Sequence, residues 1–184
     1  AFIKDTAWSE SERLAQVRGP FPEYDRSALK ERGMPPIRHS SVTTIAPTGS
    51  ISRIADCASG IEPHFALAWW SNILWKDHNG KSTRFLDAPG PVRRALVADV
   101  GEEETEETLS HLADDPAWTD GTVRTLLSQH GVRTSMSIAS EWHVRMQAAW
   151  QENMTNSTSK TINLPNSATV EDVEKAYFLA YQLG

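Results

Sequence analysis

The stretch Ser41 to Pro63, SVTTIAPTGSISRIADCASGIEP, constrains this chain most, because a β-branched run turns there into a loop rich in hydroxyls and glycine. Val42, Thr43, Thr44 and Ile45 favour a pleated backbone, Pro47 and Gly49 end it, and Thr48 or Ser50 can cap a following helix. Ile51, Ile54 and Ala55 then recur at helical spacing, which predicts one apolar stripe on a short helix. The first amides of a helix have no partner within it, and with the helix dipole they favour an anion at the helix start. Gly49 would let a ligand approach the backbone, and the Thr48 and Ser50 hydroxyls can donate to phosphate oxygens. No lysine follows the glycine, which speaks against a Walker-type nucleoside-triphosphatase. The local chemistry leaves two readings open, an anion site or an ordinary capped strand-to-helix turn.

Elsewhere the pattern alternates between helices and extended segments. Phe2 to Val17 reads as a helix with a partial apolar stripe of Phe2, Ile3, Ala7, Leu14 and Val17. Gly19-Pro20-Phe21-Pro22 breaks it, and Tyr24-Asp25-Arg26-Ser27 opens a second short helix ending near Gly33. Pro35-Pro36 imposes an extended connection, after which Arg38 reads as a surface arginine. Beyond the loop, Ala58-Ser59-Gly60 makes a turn and Ile61-Glu62-Pro63 must be extended. The apolar run Phe65 to Trp75 predicts a buried strand or helix, its tryptophans serving as packing residues. Val92 to Val100 can be helical. The five glutamates between Glu102 and Glu107 suit a solvated helix start, because consecutive carboxylates diverge too far for a metal site. Ala117 to Asp120 offers a cap for a helix reaching about His130. Glu141 to Met154 reads as a helix capped by Ser140 with its apolar residues on the core, and its lone His143 as packed or hydrogen-bonded. Lys160 to Leu164 predicts a strand ended by Pro165. Thr169 and Asp172 form a capping-box variant ahead of a helix whose buried stripe is Val173, Ala176, Tyr177, Ala180 and Leu183.

Size and charge narrow the function. With 184 residues and 39% hydrophobic content the chain can bury a core, and a net charge of −6 argues against a nucleic-acid-binding surface. No apolar run is long enough to span a bilayer and no signal peptide is evident. The lone Cys57 excludes an intrachain disulfide framework, so a cytoplasmic location is expected.

The segments GPFPEYDRS, APTGSIS with DCASGIEP, WHVRMQAAWQ and SKTINLPNSATVEDVEKAY, in this order, resemble the catalytic subunit of ribonucleotide reductases, from about Phe21 to the last residue. The loop and the TINLP segment are most similar to the adenosylcobalamin-dependent class II enzymes. The resemblance implies an α/β fold, here the C-terminal portion of a ten-stranded α/β barrel. Residues 1–184 would be a single fragment of that barrel domain, and 76–140 a variable, mostly helical insert of open function. It implies that Pro47, Thr48, Gly49, Ser50 and Ile51 hold the substrate phosphates and that Gly60, Ile61, Glu62 and Pro63 lie close to the active site. Glu62 is expected to order its loop by hydrogen bonds rather than to act as the catalytic acid.

The family's radical cysteine, its assisting asparagine and glutamate and its redox-active tail have no counterpart in this sequence. Cys57 reads instead as a small packing residue on the helix after the loop. The expectation is therefore no catalytic residue, no metal site and no turnover by the chain alone. The intact enzyme would use adenosylcobalamin, a ribonucleotide substrate and an external dithiol reductant such as thioredoxin, and would form a homodimer. A chain with no start signal that stops within a helix reads as a fragment. Its uncovered strand edges and apolar face would call for self-association or for the remainder of the barrel, on the same or a separate chain. The alternative is a non-catalytic nucleotide-binding or barrel-completing interaction module, for example one chain of a split enzyme.

Overall fold

The structure, a computed structural model, describes residues 2–76 and 82–184; the side chains of 73–76 and of 82 lie outside that description. Its main elements are α1 (Phe2–Arg18), α2 (Ala28–Glu31), α3 (Gly49–Ile54), β1 (Trp69–Lys76), β2 (Ser82–Asp87), α4 (Gly90–Val100), α5 (Glu102–Asp114), α6 (Gly121–Gln129), α7 (Ser140–Gln151) and α8 (Val170–Leu183). They fall into two compact units. One comprises Ala1–Pro47, Glu141–Lys160 and Thr169–Gly184, the other Thr48–Ser140 and Thr161–Ala168.

The first unit is helical. Helix α1 buries only Ser11 and Ala15 and ends before Gly19, whose φ of +76° needs a residue without a Cβ. On its surface Arg13 grips the Glu10 carboxylate with two donors, at 2.8 and 2.6 Å, which lowers the Glu10 pKa and raises that of Arg13. Ser27 caps α2 by accepting the Lys30 amide, and the Tyr24 hydroxyl donates to the Met34 carbonyl at 2.6 Å. Arg38 is half-buried rather than a free surface arginine, and its guanidinium donates to the Pro20 carbonyl at 3.3 Å. His143 in α7 is 2% exposed and accepts from the Lys160 ammonium at Nδ1, 2.8 Å away, so the packed and hydrogen-bonded expectation holds.

The strand expected at 42–45 reduces to a single parallel bridge between Ile45 and Thr158. The Thr155 hydroxyl takes the Val42 and Thr43 amides at 2.8 and 2.9 Å, so a side chain occupies donors that a ladder would use. The apolar stripes of the terminal helices are also less buried than expected. Helix α8 buries only Ala176 while Tyr177 is 75% exposed, and Trp142 of α7 is 63% exposed. Ser140 is the first residue of α7 rather than the one before it, whereas the Thr169–Asp172 capping box is formed as expected.

The second unit holds the larger apolar core. The run Phe65 to Trp75 resolves into strand β1, preceded by the buried Leu67 and Ala68, and it pairs antiparallel with β2 so that Trp69 faces Asp87 and Asn72 faces Arg84. The pairing is irregular between Asn72 and Lys76. Against this hairpin α4, α5 and α6 enclose Val92, Leu96, Leu109, Leu112, Val123 and Leu126. Each fully buried leucine of this kind contributes about 1.5–3 kcal/mol. Glu102, Glu103 and Glu104 sit in the first turn of α5, where carboxylates favour the helix dipole, and Asp120 caps α6 by accepting the Val123 amide at 2.8 Å.

The tryptophans serve packing and orientation. Arg84 lies over the Trp70 ring at 4.2 Å, and Trp70 donates to Asp114 at 2.7 Å; the Trp75 side chain lies outside the described residues. Residues 160–164, expected as strand, form none, because the Thr161 amide donates to a carboxylate, that of Glu62, instead of to a neighbouring strand. Among the described residues the sheet is thus two-stranded.

Candidate functional site

The PTGSI segment straddles the boundary between the units, Pro47 in the first and Thr48 to Ile51 in the second. The Ser52 amide donates to the Thr48 carbonyl at 3.0 Å and closes the first turn of α3. The amides of Gly49, Ser50 and Ile51 precede that bond, so by helix geometry they have no acceptor within α3. Thr48 occupies the N-cap position, but its hydroxyl makes no cap bond; it accepts the Gly60 amide at 2.8 Å. That bond joins the two segments singled out in the sequence, 47–51 and 60–63. A Cβ built at Gly49 would meet nothing within 4 Å, so packing in this structure does not explain the glycine.

The rest of α3 departs from its expected stripe. Ile51 and Ile54 are exposed, and the buried residue is Ser52, whose hydroxyl meets that of Ser59 at 2.8 Å. The helix ends at Ile54, so Cys57 lies beyond it, exposed rather than packed, with its amide donating to the Ser52 carbonyl. Gly60, with a φ of +54°, makes the expected turn, and the Glu62 amide donates back to Ser59 at 2.9 Å. The Glu62 carboxylate accepts the Thr161 amide at 2.5 Å, which is the loop-ordering role expected of it.

Beside these segments lies a cleft of about 620 Å³ within the second unit. Of the residues singled out in the sequence, Gly49, Glu62 and Pro63 line it, whereas Pro47, Thr48, Ser50, Ile51, Gly60 and Ile61 do not. Its polar wall is made by residues that sequence reasoning passed over. Arg53, Asp56, His64, Trp69 and Asp87 line it; Arg53 donates to Asp87 at 2.7 Å, and behind them Ser71 accepts from Arg53 at 2.9 Å and from Trp69 at 3.1 Å. The signal for Arg53 was its place two residues after Ile51, within the first turns of the expected helix. Nothing local marked Ser71 or Asp87. The cleft mixes apolar and polar side chains, and its volume lies in the range of small-molecule sites. No group of three or more metal-ligating side chains converges among the described residues.

Residues 29–184 match the family model described as ribonucleotide reductase, barrel domain. A vitamin B12-dependent ribonucleoside-diphosphate reductase of Mycobacterium tuberculosis is 36% identical over 183 residues, covering 98% of this chain and 24% of that protein. The protein of the same name from Thermoplasma acidophilum is 36% identical over 187 residues, covering 100% of this chain and 22% of its own length. The chain therefore spans about a quarter of the length of these two relatives. Among solved structures, the Actinobacillus ureae class Id ribonucleotide reductase alpha subunit superposes with a TM-score of 0.63 at 19% identity, covering 98% of this chain and 30% of that one, a likeness of fold.

Proposed function

The chain belongs to the ribonucleotide reductase family through its barrel domain, and from that premise we propose that it is the substrate-phosphate-binding portion of an enzyme that converts ribonucleotides to deoxyribonucleotides by thiyl-radical chemistry for DNA synthesis. The observation that carries this reading is the Thr48–Gly60 hydrogen bond, which holds the open start of α3 against the 60–63 segment at the edge of the cleft. The amides of Gly49, Ser50 and Ile51, with the Ser50 hydroxyl, donate to phosphate oxygens; Pro47 sets the approach of the chain. Gly60, Ile61, Glu62 and Pro63 shape the neighbouring wall. The similarity to reductases over nearly the whole chain favours this reading over a non-catalytic module.

The chain's share in the reaction is to bind and orient. No catalytic residue is assigned within it, and Cys57, although exposed at the cleft, stands in a sequence block where the family's radical cysteine does not occur, so the chain alone is inactive. The whole enzyme uses adenosylcobalamin, in keeping with the names of the relatives. The residues here do not fit that group. A cleft of about 620 Å³ suits a drug-sized ligand and falls well short of a corrin with its adenosyl and nucleotide arms.

Residues 1–184 form one fragment, the C-terminal portion of a ten-stranded α/β barrel carrying 76–140 as an insert. The remainder of the barrel covers apolar surface such as Tyr177, Phe178 and Tyr181 of α8, all at least 60% exposed. The assembled enzyme is a cytoplasmic homodimer reduced by an external dithiol such as thioredoxin.

Calorimetric titration with a ribonucleoside diphosphate tests the reading, on the chain and on the reductase assembled with the rest of its barrel. A Gly49→Asp variant places a carboxylate at the anion site and is expected to abolish binding. Equal affinity of the variant and the parent would overturn the assignment.

A further inference from the structure

Helix α3 has little apolar support. Its buried side chain is Ser52, while Ile51 and Ile54 are 63% and 87% exposed. Six residues do not make a stable helix by themselves, so its place must be set by polar bonds to other elements.

Two fastenings do this. Arg53, in the last turn, donates to Asp87 at 2.7 Å and to the buried Ser71 at 2.9 Å, and Ser71 in turn donates to Asp87 at 3.2 Å. Two residues beyond the helix, Asp56 adopts a left-handed φ of +50° and turns its carboxylate onto the start of α4. One oxygen accepts the Gly90 amide at 2.9 Å, and the other faces the Arg94 guanidinium at 3.4 Å. A Cβ at Gly90 would overlap that carboxylate, so Asp56 keeps this position only beside a glycine. Asp87 ends β2 and Gly90 opens α4, so both anchors belong to the segment between 76 and 140 whose role the sequence leaves open.

We propose that β2 and the start of α4 brace α3, and that Arg53 and Asp56 are positioning residues for the phosphates of a nucleoside diphosphate, acting through the loop without touching the ligand. The ligand-binding consequence rests on the phosphate-loop reading above; the brace itself does not.

The test measures backbone Cα chemical shifts and cytidine diphosphate affinity on the full chain for Arg53→Ala, Gly90→Ala, and the exchange of Arg53→Asp with Asp87→Arg. Helical shifts should fall across Ser50 to Ile54 in the two single variants, with those of α5 unchanged as the control for folding, and should recover in the exchange. Affinity should weaken about threefold to tenfold in the single variants and recover likewise. Unchanged α3 shifts in both single variants would overturn the brace. Recovered shifts without recovered affinity would overturn the positioning role, because Arg53 would then contact the ligand itself. Should neither the chain nor the reductase assembled with the rest of its barrel bind cytidine diphosphate while the shifts respond as expected, the brace stands and the phosphate-loop reading falls.

Discussion

The Thr48 hydroxyl and the Gly60 amide, twelve residues apart in sequence, meet at 2.8 Å, and the bond spends on a neighbouring loop the oxygen that would otherwise cap α3. A capping oxygen satisfies one of the first amides of a helix. Its diversion leaves those amides for another acceptor.

Thr48→Val keeps the shape of the side chain and removes the acceptor. The expected loss is about 0.5–1.5 kcal/mol of nucleotide affinity, measured by titration, whereas Thr48→Ser should stay close to the parent. Equal affinities for all three proteins would show that the bond does not shape the site.

Leu96 is fully buried among the helices of the second unit. Leu96→Ala should lower the stability of that unit by about 2–5 kcal/mol in urea unfolding, and a loss well under 1 kcal/mol would mean that the surrounding helices collapse onto the space. The exposed Ile54→Ala, measured in the same way, should change stability by less than about 0.5 kcal/mol.

Asp172 has its pKa lowered first by the hydrogen bond from the Thr169 amide, then by the Thr169 hydroxyl, with Lys175 adding a smaller electrostatic share. A carboxylate whose folded pKa is depressed contributes its full stabilisation above the unfolded value and loses it as pH falls through the folded one. The first turn of α8 should therefore fray on acidification, seen as faster amide exchange at Val170 to Val173 after correction for the intrinsic rate. Asp172→Asn should flatten that response.

Glu62 binds the Thr161 amide through a charged acceptor. Replacing it with glutamine weakens the acceptor and should shift the Thr161 amide proton upfield, with a cost of about 1 kcal/mol. An unmoved resonance would place the loop's order elsewhere.

What could be read from the sequence follows the range of the interactions. Helix starts marked by local chemistry, Thr169 with Asp172 and Asp120 ahead of α6, appear at the expected residues, because a cap is decided within three positions. The turn at Gly60 and the ordering role of Glu62 were likewise visible, since proline and glycine limit the backbone locally. The strands expected at 42–45 and 160–164 failed for a non-local reason. A β-branched run becomes a strand only beside a partner, and here Thr155 and Glu62 take amides that a ladder would use. The same limit hid the Arg53–Asp87 pair, whose members are 34 positions apart and are joined by a hairpin whose second strand went unrecognised. Helical periodicity found the apolar faces of α3 and α8 but could not say what would cover them.

The choice of polar bonds over apolar contact for seating α3 decides how the loop responds to its surroundings. Burial of apolar surface weakens on cooling and strengthens in sulfate or phosphate buffers, and a loop seated that way would follow both. The ties from Arg53 and Asp56 are exposed enough to be screened. At molar salt the Debye length shrinks to about 3 Å, so the seat should slacken at high ionic strength while α4, α5 and α6 stay packed.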